Sequence, residues 1–290
     1  MVLRSDYSDT KRLYEILAEL KSRLQSSMMS AGHVVAGGRA VSYFSENAAI
    51  QEVLSGMDFY RLLEKICKDW ENEGAKTAKK LAALSRQIFC RENLLLDFIS
   101  QDEAVYEQFS ALADGLIGKL PAKEAAGMPY HIEPVRRNEG FLSASQVQYV
   151  CRAGNFLKRG LPYTGALRIL KGILSNDYLW NQVRVKGGAY GCMCSFGKSG
   201  DAWFVSYRDP NLAKTVEAYE AAADWVERFA DDERAMTQAV IGTVSEMDTP
   251  MNPAAKGLRS LSIYLTNQTE EQLQKERDEV LDAEPEDILS

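Results

Sequence analysis

Two strand-like runs, Ala189–Phe196 and Trp203–Tyr207, are separated by Gly197-Lys198-Ser199-Gly200-Asp201. A cluster of turn residues of that length between two such runs predicts a β-hairpin, and a hairpin commits its sheet to antiparallel pairing. Upstream, Val147, Tyr149 and Cys151 alternate with Gln148 and Arg152, which adds a half-buried strand. The remainder of this half is helical. Thr164–Asn181 carries Leu167, Leu170, Ile173, Leu174 and Tyr178 on one stripe. Asp209-Pro210-Asn211 starts a helix bearing Leu212, Val216, Tyr219, Ala223, Val226 and Phe229, and Asp231–Met247 forms another. Thr269-x-x-Gln272 is a capping box for a charged helix reaching Ala283. The order predicts an α+β domain, an antiparallel sheet with helices packed on one face.

The first half predicts a mostly helical part-domain. Leu13, Ile16, Leu17, Leu20 and Leu24 recur at helical spacing from about Ser8, and helices are expected again over Ala48–Ser55, Met57–Glu73 and Ala75–Ser85. Between them, "SAGHVVAGGRAVSYFS" interrupts the helical pattern with three glycines. In "QIFCRENLLLDFIS", Ile88, Cys90, Leu94, Leu96 and Phe98 predict one or two strands around Arg91-Glu92-Asn93. Asp102 then caps a helix whose buried stripe is Val105, Phe109, Leu112 and Leu116. Residues 119–140 carry three prolines, two glycines and no period, and read as a linker between a domain at 1–118 and one at 141–290.

A net charge of -7 argues against nucleic acid as a partner, because phosphate binding needs clustered positive charge. No apolar run of membrane-spanning length occurs, and the first residues lack a signal-peptide core. Five cysteines at unpatterned spacing fit reduced thiols and a reducing compartment such as the cytoplasm, with an organelle matrix as the other option.

The chemistry is concentrated in "VRVKGGAYGCMCSFGKSG", Val183 to Gly200. Gly197-Lys198-Ser199 resembles the end of a phosphate loop, but the first glycine of that motif would fall on Cys192, and a strand rather than a helix comes after it. Cys192 and Cys194 share a strand face, yet two thiols without a matching His or Cys pair do not make a zinc site, so both read as packing. Arg184 and Tyr190 bracket Gly187, Gly188 and Ala189 with two donors suited to a carbonyl oxygen or carboxylate. On spacing alone this is either a site that receives another backbone or a tight turn with a surface arginine and a core tyrosine. His33 reads as a packing or turn residue, and Trp180, Trp203 and Trp225 read as core.

"YLWNQVRVKGGAYGCMCSF" and "SYRDPNLAKTVEAY" resemble the C-terminal half of presequence-protease-like, falcilysin-related zinc metallopeptidases of the pitrilysin/insulysin superfamily. "SRLQSSMMSAGHVVAGGRAVSYFS" and "GMDFYRLLEKI" resemble the segment just upstream in the same enzymes. The resemblance implies a clamshell of two halves, each of two α+β domains, with Zn2+ held by His-x-x-Glu-His in the N-terminal half. It implies that 1–118 is the C-terminal part of the third domain and 141–290 the fourth, with the first strands of the third and the end of the fourth outside the chain. It further implies that Arg184 and Tyr190 reach the peptide substrate beside the scissile bond, with Gly187, Gly188 and Ala189 lining it. No zinc motif can be built on His33 or His131, so no metal is expected in this chain, which alone should be inactive. The expected partners are a peptide substrate and the N-terminal half. The alternative is a non-catalytic scaffold of the same fold, which has no evident need of both Arg184 and Tyr190.

Overall fold

The computed structural model describes residues 5–123, 130–143, 146–230 and 232–289. The elements run α1 (Thr10–Ser30), α2 (Gly32–Val41), α3 (Glu46–Ser55), α4 (Met57–Lys68), α5 (Trp70–Ile88), α6 (Glu103–Ile117), β1 (Cys151–Asn155), α7 (Ala166–Ile173), β2 (Gly191–Phe196), β3 (Asp201–Tyr207), α8 (Ala213–Glu220), α9 (Ala222–Ala230), α10 (Glu233–Met247), α11 (Pro253–Leu265), α12 (Glu270–Leu281) and α13 (Pro285–Leu289). They form two compact units, each discontinuous in sequence: Met1–Lys21, Leu62–Tyr130 and Pro250–Thr269 in one, Ser22–Arg61, His131–Thr249 and Glu270–Ser290 in the other. The division differs from the linear one read from sequence because α2 packs on strands that lie more than a hundred residues further along the chain. Residues 124–129 of the expected linker, and Asp231 at the expected start of α10, lie outside the described residues.

The first unit is helical. Tyr14 of α1 packs on Trp70 of α5 with ring centroids 5.4 Å apart. The strands expected within 87–100 do not form. Asn93 instead donates to the carbonyls of Gln87 at 2.9 Å and Ile88 at 3.2 Å, closing the end of α5 in a turn. No strand among the described residues of this unit offers residues 94–100 a partner ladder. Phe98 stacks on Phe109 at 4.1 Å instead. Asp102 caps α6 as expected, accepting from the Ala104 N–H at 2.9 Å. The stripe on α6 is not buried, however: Val105, Leu112 and Leu116 are exposed. α11 went unread in the sequence, although Asn252-Pro253 is a cap with proline in the first turn, and Asn252 accepts from Ala255 N–H at 2.8 Å.

The second unit holds the α+β fold. Its antiparallel sheet has the order β1-β3-β2, with Cys194 opposite Phe204 and Cys151 opposite Val205. One face carries Cys192, Cys194, Phe196 and Phe204 against a helical layer in which Ile169 and Leu179 are fully buried. Burial pushes Cys194 up to about 11 and Cys192 up to about 12, so both remain protonated thiols of the core. α2 packs on β1 and β3 in spite of its glycines. Gly32 abuts the ring of Tyr149, where no β-carbon would fit, so close approach offsets the helix-breaking tendency.

α2 also supplies a buried cation. Arg39 is 5% exposed and meets Glu52 at 3.1 Å, Asp58 at 3.0 Å and Glu139 at 2.8 Å. Tyr43 donates to the same Glu139 carboxylate. The hydrogen bonds from Arg39 and Tyr43 hold Glu139 down at about 2, against an ordinary 4.5. A depressed carboxylate contributes stability that is complete above its ordinary value and is lost as pH falls toward the folded one. Glu139→Gln is therefore expected to lower the denaturation midpoint at pH 7 and to converge on the parent near pH 2. Parallel stability curves across that range would remove the linkage. Arg39→Met strands buried carboxylates and is expected to cost about 3–5 kcal/mol in denaturant titration.

Candidate functional site

The hairpin is pinned at its tip. Lys198 lies 2.6 Å from Glu276 of α12, which also accepts from Arg168 at 2.6 Å and from Tyr163 at 2.8 Å. Burial alone would raise Glu276, but Lys198, Arg168 and Tyr163 together hold it below its ordinary value. The Gly-Lys-Ser sequence is thus a turn, closed by Gly197 N–H to Asp201 carbonyl at 2.8 Å, and Lys198 is committed to a carboxylate rather than open to a phosphate.

At the other end of β2 the helix preceding it departs from expectation. α7 continues without a break into a π-helical stretch, Leu174–Val185, well past Asn181. Its buried residues are Leu174, Tyr178, Leu179 and Val183, a spacing wider than an α-turn. Bonding five residues back, as in Lys186 N–H to Asn181 carbonyl at 3.0 Å, matches that spacing and keeps all four in the core. The same turns place Trp180 and Arg184 together. Trp180 is exposed rather than core, and the Arg184 guanidinium lies 3.8 Å from its ring centroid and 5.8 Å from that of Tyr190.

The chain then turns sharply. Ala189 N–H donates to Val183 carbonyl at 3.1 Å, and a β-carbon at position 187 would stand 2.5 Å from that same oxygen. Gly188 comes next with φ 80, the left-handed region that glycine enters without strain. Asn211 donates to the Gly187 carbonyl at 2.5 Å, and Asn211 is oriented by the buried carboxylate of Asp209, which accepts its N–H at 2.8 Å and the Thr215 hydroxyl at 2.7 Å. Tyr190 N–H then joins β3 through the Tyr207 carbonyl at 3.0 Å, and its ring packs edge-on to Tyr207 at 5.6 Å. Behind Tyr207 stands His33, edge-on at 4.7 Å, whose buried Nδ1 has no hydrogen-bond partner.

Arg184, Val185, Gly188, Ala189, Tyr190 and Arg208 line an open depression of about 460 Å³. Four of the five residues singled out from sequence meet there; Gly187 sits behind them as the hinge of the turn. Tyr190 is 66% exposed, so it is not the core tyrosine of the plain-turn reading. Among the described residues no carboxylate pairs with Arg184 and no acceptor engages the Tyr190 hydroxyl, leaving both donors open to a ligand. Arg208, Asn211 and Asp209 escaped the sequence reading because Asp209-Pro210-Asn211 registers only as a helix start. A larger depression of about 860 Å³ is edged by α12 carboxylates and lacks such a pair of open donors.

Gly188→Ala is expected to cost about 1–2 kcal/mol, the penalty of a left-handed alanine, while Gly188→Asn costs less. Gly187→Ala overlaps backbone and is expected to cost more than either. Thermal melts of the three variants check the order; a neutral Gly187→Ala would show that the turn is not sterically fixed.

Residues 138–290 match the family model described as PreP C-terminal domain, and residues 1–66 match a model for the region associated with subfamily C of the M16 peptidases. The whole chain is 39% identical to Protein HypA of Clostridium perfringens, of which it covers 30%. It is 28% identical over 95% of its length to Presequence protease 1, chloroplastic/mitochondrial, of Arabidopsis thaliana, covering 26% of that protein. It is 23% identical over 94% of its length to Presequence protease, mitochondrial, of Xenopus laevis, covering 29%. The chain thus spans under a third of the length of these relatives, and over that span it belongs to the presequence-protease family of M16 peptidases.

Proposed function

We propose that this chain forms the C-terminal, non-zinc-binding half of a zinc metalloendopeptidase that degrades unstructured peptides. Residues 1–118 belong to its third domain and 141–290 to its fourth, and together they close the substrate chamber. The observation that supports this reading is the pair of open donors, Arg184 and Tyr190, on the rim of one depression and rooted in a rigid helix-to-strand turn. Gly188 and Ala189 give a peptide backbone close access between them.

The donor set of this chain does not fit a zinc ion. His33 is packed on Tyr207, and His131 lies beside Glu46 at the surface. No three His, Cys, Asp or Glu side chains gather as ligands among the described residues. The metal is assigned to the N-terminal half, and this chain alone should not hydrolyse peptides. Its own contribution is to bind and orient the peptide carbonyl through Arg184 and to donate from Tyr190 to the oxyanion that forms there. No helix among the described residues is long and apolar enough to cross a membrane. The five free thiols suit a reducing compartment, the cytoplasm or an organelle matrix.

In the full-length protein, Arg184→Ala and Tyr190→Phe are expected to lower kcat/KM for an unstructured peptide severalfold to about a thousandfold, the range for one lost oxyanion donor. Bound zinc should be unchanged by metal analysis. Parent-like kcat/KM in both variants would take the catalytic role from these residues.

A further inference from the structure

Arg208 lines the same depression and nothing in the sequence pattern announced it. Its backbone has φ 48, a left-handed conformation that an arginine adopts only where its surroundings enforce it. The flanking bonds do so. Tyr190 N–H approaches the Arg208 carbonyl at 3.3 Å, and Asp209 exchanges both backbone bonds with Gln148, at 2.8 and 3.2 Å. The Asp209 side chain, fully buried, is occupied by the Asn211 N–H and the Thr215 hydroxyl. Strain so firmly held has one visible result: it sets the Arg208 guanidinium over the Tyr207 ring, 5.4 Å from its centroid, at the rim that Arg184 and Tyr190 share.

The two arginines differ from others in the unit. Arg39, Arg152 and Arg168 each meet a glutamate, as expected in a chain with 41 acidic and 34 basic residues. Arg184 and Arg208 have aromatic rings beneath them and no carboxylate within ion-pair distance among the described residues. Two stacked, unpaired guanidinium groups around one open depression make a receptor for a planar anion.

We infer that the depression is a carboxylate subsite and that Arg208 determines its specificity, giving preference to peptides that present a carboxylate there, from a free C-terminus or an acidic side chain. The inference rests on the peptide-binding reading of Arg184 and Tyr190 and deepens it.

Tryptophan fluorescence tests it in the full-length protein, since Trp180 carries Arg184 and reports occupancy. Three probes too short to be useful substrates are titrated at low salt: N-acetyl-Ala-Ala, its C-terminal amide, and N-acetyl-Ala-Asp amide. At least one carboxylate probe should bind about fivefold or more tighter than the neutral amide, as for one favourable exposed ion pair. Whichever probe shows the preference identifies its source. Arg208→Asn, chosen because asparagine tolerates the left-handed backbone, should shrink the preference to under about twofold and leave the amide's affinity in place. Added salt should have the same effect. Equal or absent binding of acid and amide would overturn the inference, and so would a preference that survives Arg208→Asn. Peptide hydrolysis, measured separately, distinguishes this failure from failure of the peptidase reading: a carboxylate preference in a protein that cleaves nothing defeats only the latter.

Discussion

The Val183 carbonyl oxygen is the fixed point of this site. It accepts the Ala189 N–H at 3.1 Å, and it stands where a side chain at position 187 would have to be. That one bond turns a helix into a strand within a few residues. It demands glycine at 187, passes the left-handed step to Gly188, and delivers Tyr190 to the edge of β3. Arg184 and Tyr190 face one depression because the turn between them leaves little other choice.

Buried carboxylates hold the rest of the frame. Glu276 draws Lys198, Arg168 and Tyr163 together and so ties the hairpin tip to α7 and α12. Asp209 orients Asn211, which grips the Gly187 carbonyl from the other side. Glu52 and Glu139 anchor Arg39 and with it the end of α2. In each case a charge taken out of water is matched by several donors or by a cation, which is the condition for burying it at all. The outcome is a rigid base beneath two donors that themselves remain unpaired, the arrangement that lets them act on a ligand without first breaking a bond.

Much of this was legible in the sequence, where a local signal agreed with its surroundings. The hairpin, the Asp102 cap, and the three strands are written in turn residues and alternation. Arg184, Gly188, Ala189 and Tyr190 came from spacing and resemblance together, and they line one depression. What escaped depends on tertiary context. α2 is a helix because Gly32 can press against Tyr149, a contact no local pattern encodes. Trp180 reads as core by helical period, but the π-helical stretch turns it outward beneath Arg184. Arg208 looks like an ordinary surface cation until its positive φ is seen. In 87–100 the strand pattern was genuine yet had no ladder to join, so apolar alternation was satisfied by packing alone.

The central claim is that Arg184 and Tyr190 converge on one peptide carbonyl. The most direct measurement is a crystal structure of the full-length protein with a non-cleavable peptide bound. The expected result places a single peptide carbonyl oxygen within hydrogen-bond reach, about 2.6–3.2 Å, of both the Tyr190 hydroxyl and the Arg184 guanidinium. A peptide bound elsewhere in a closed chamber, with both side chains still facing solvent, would contradict it.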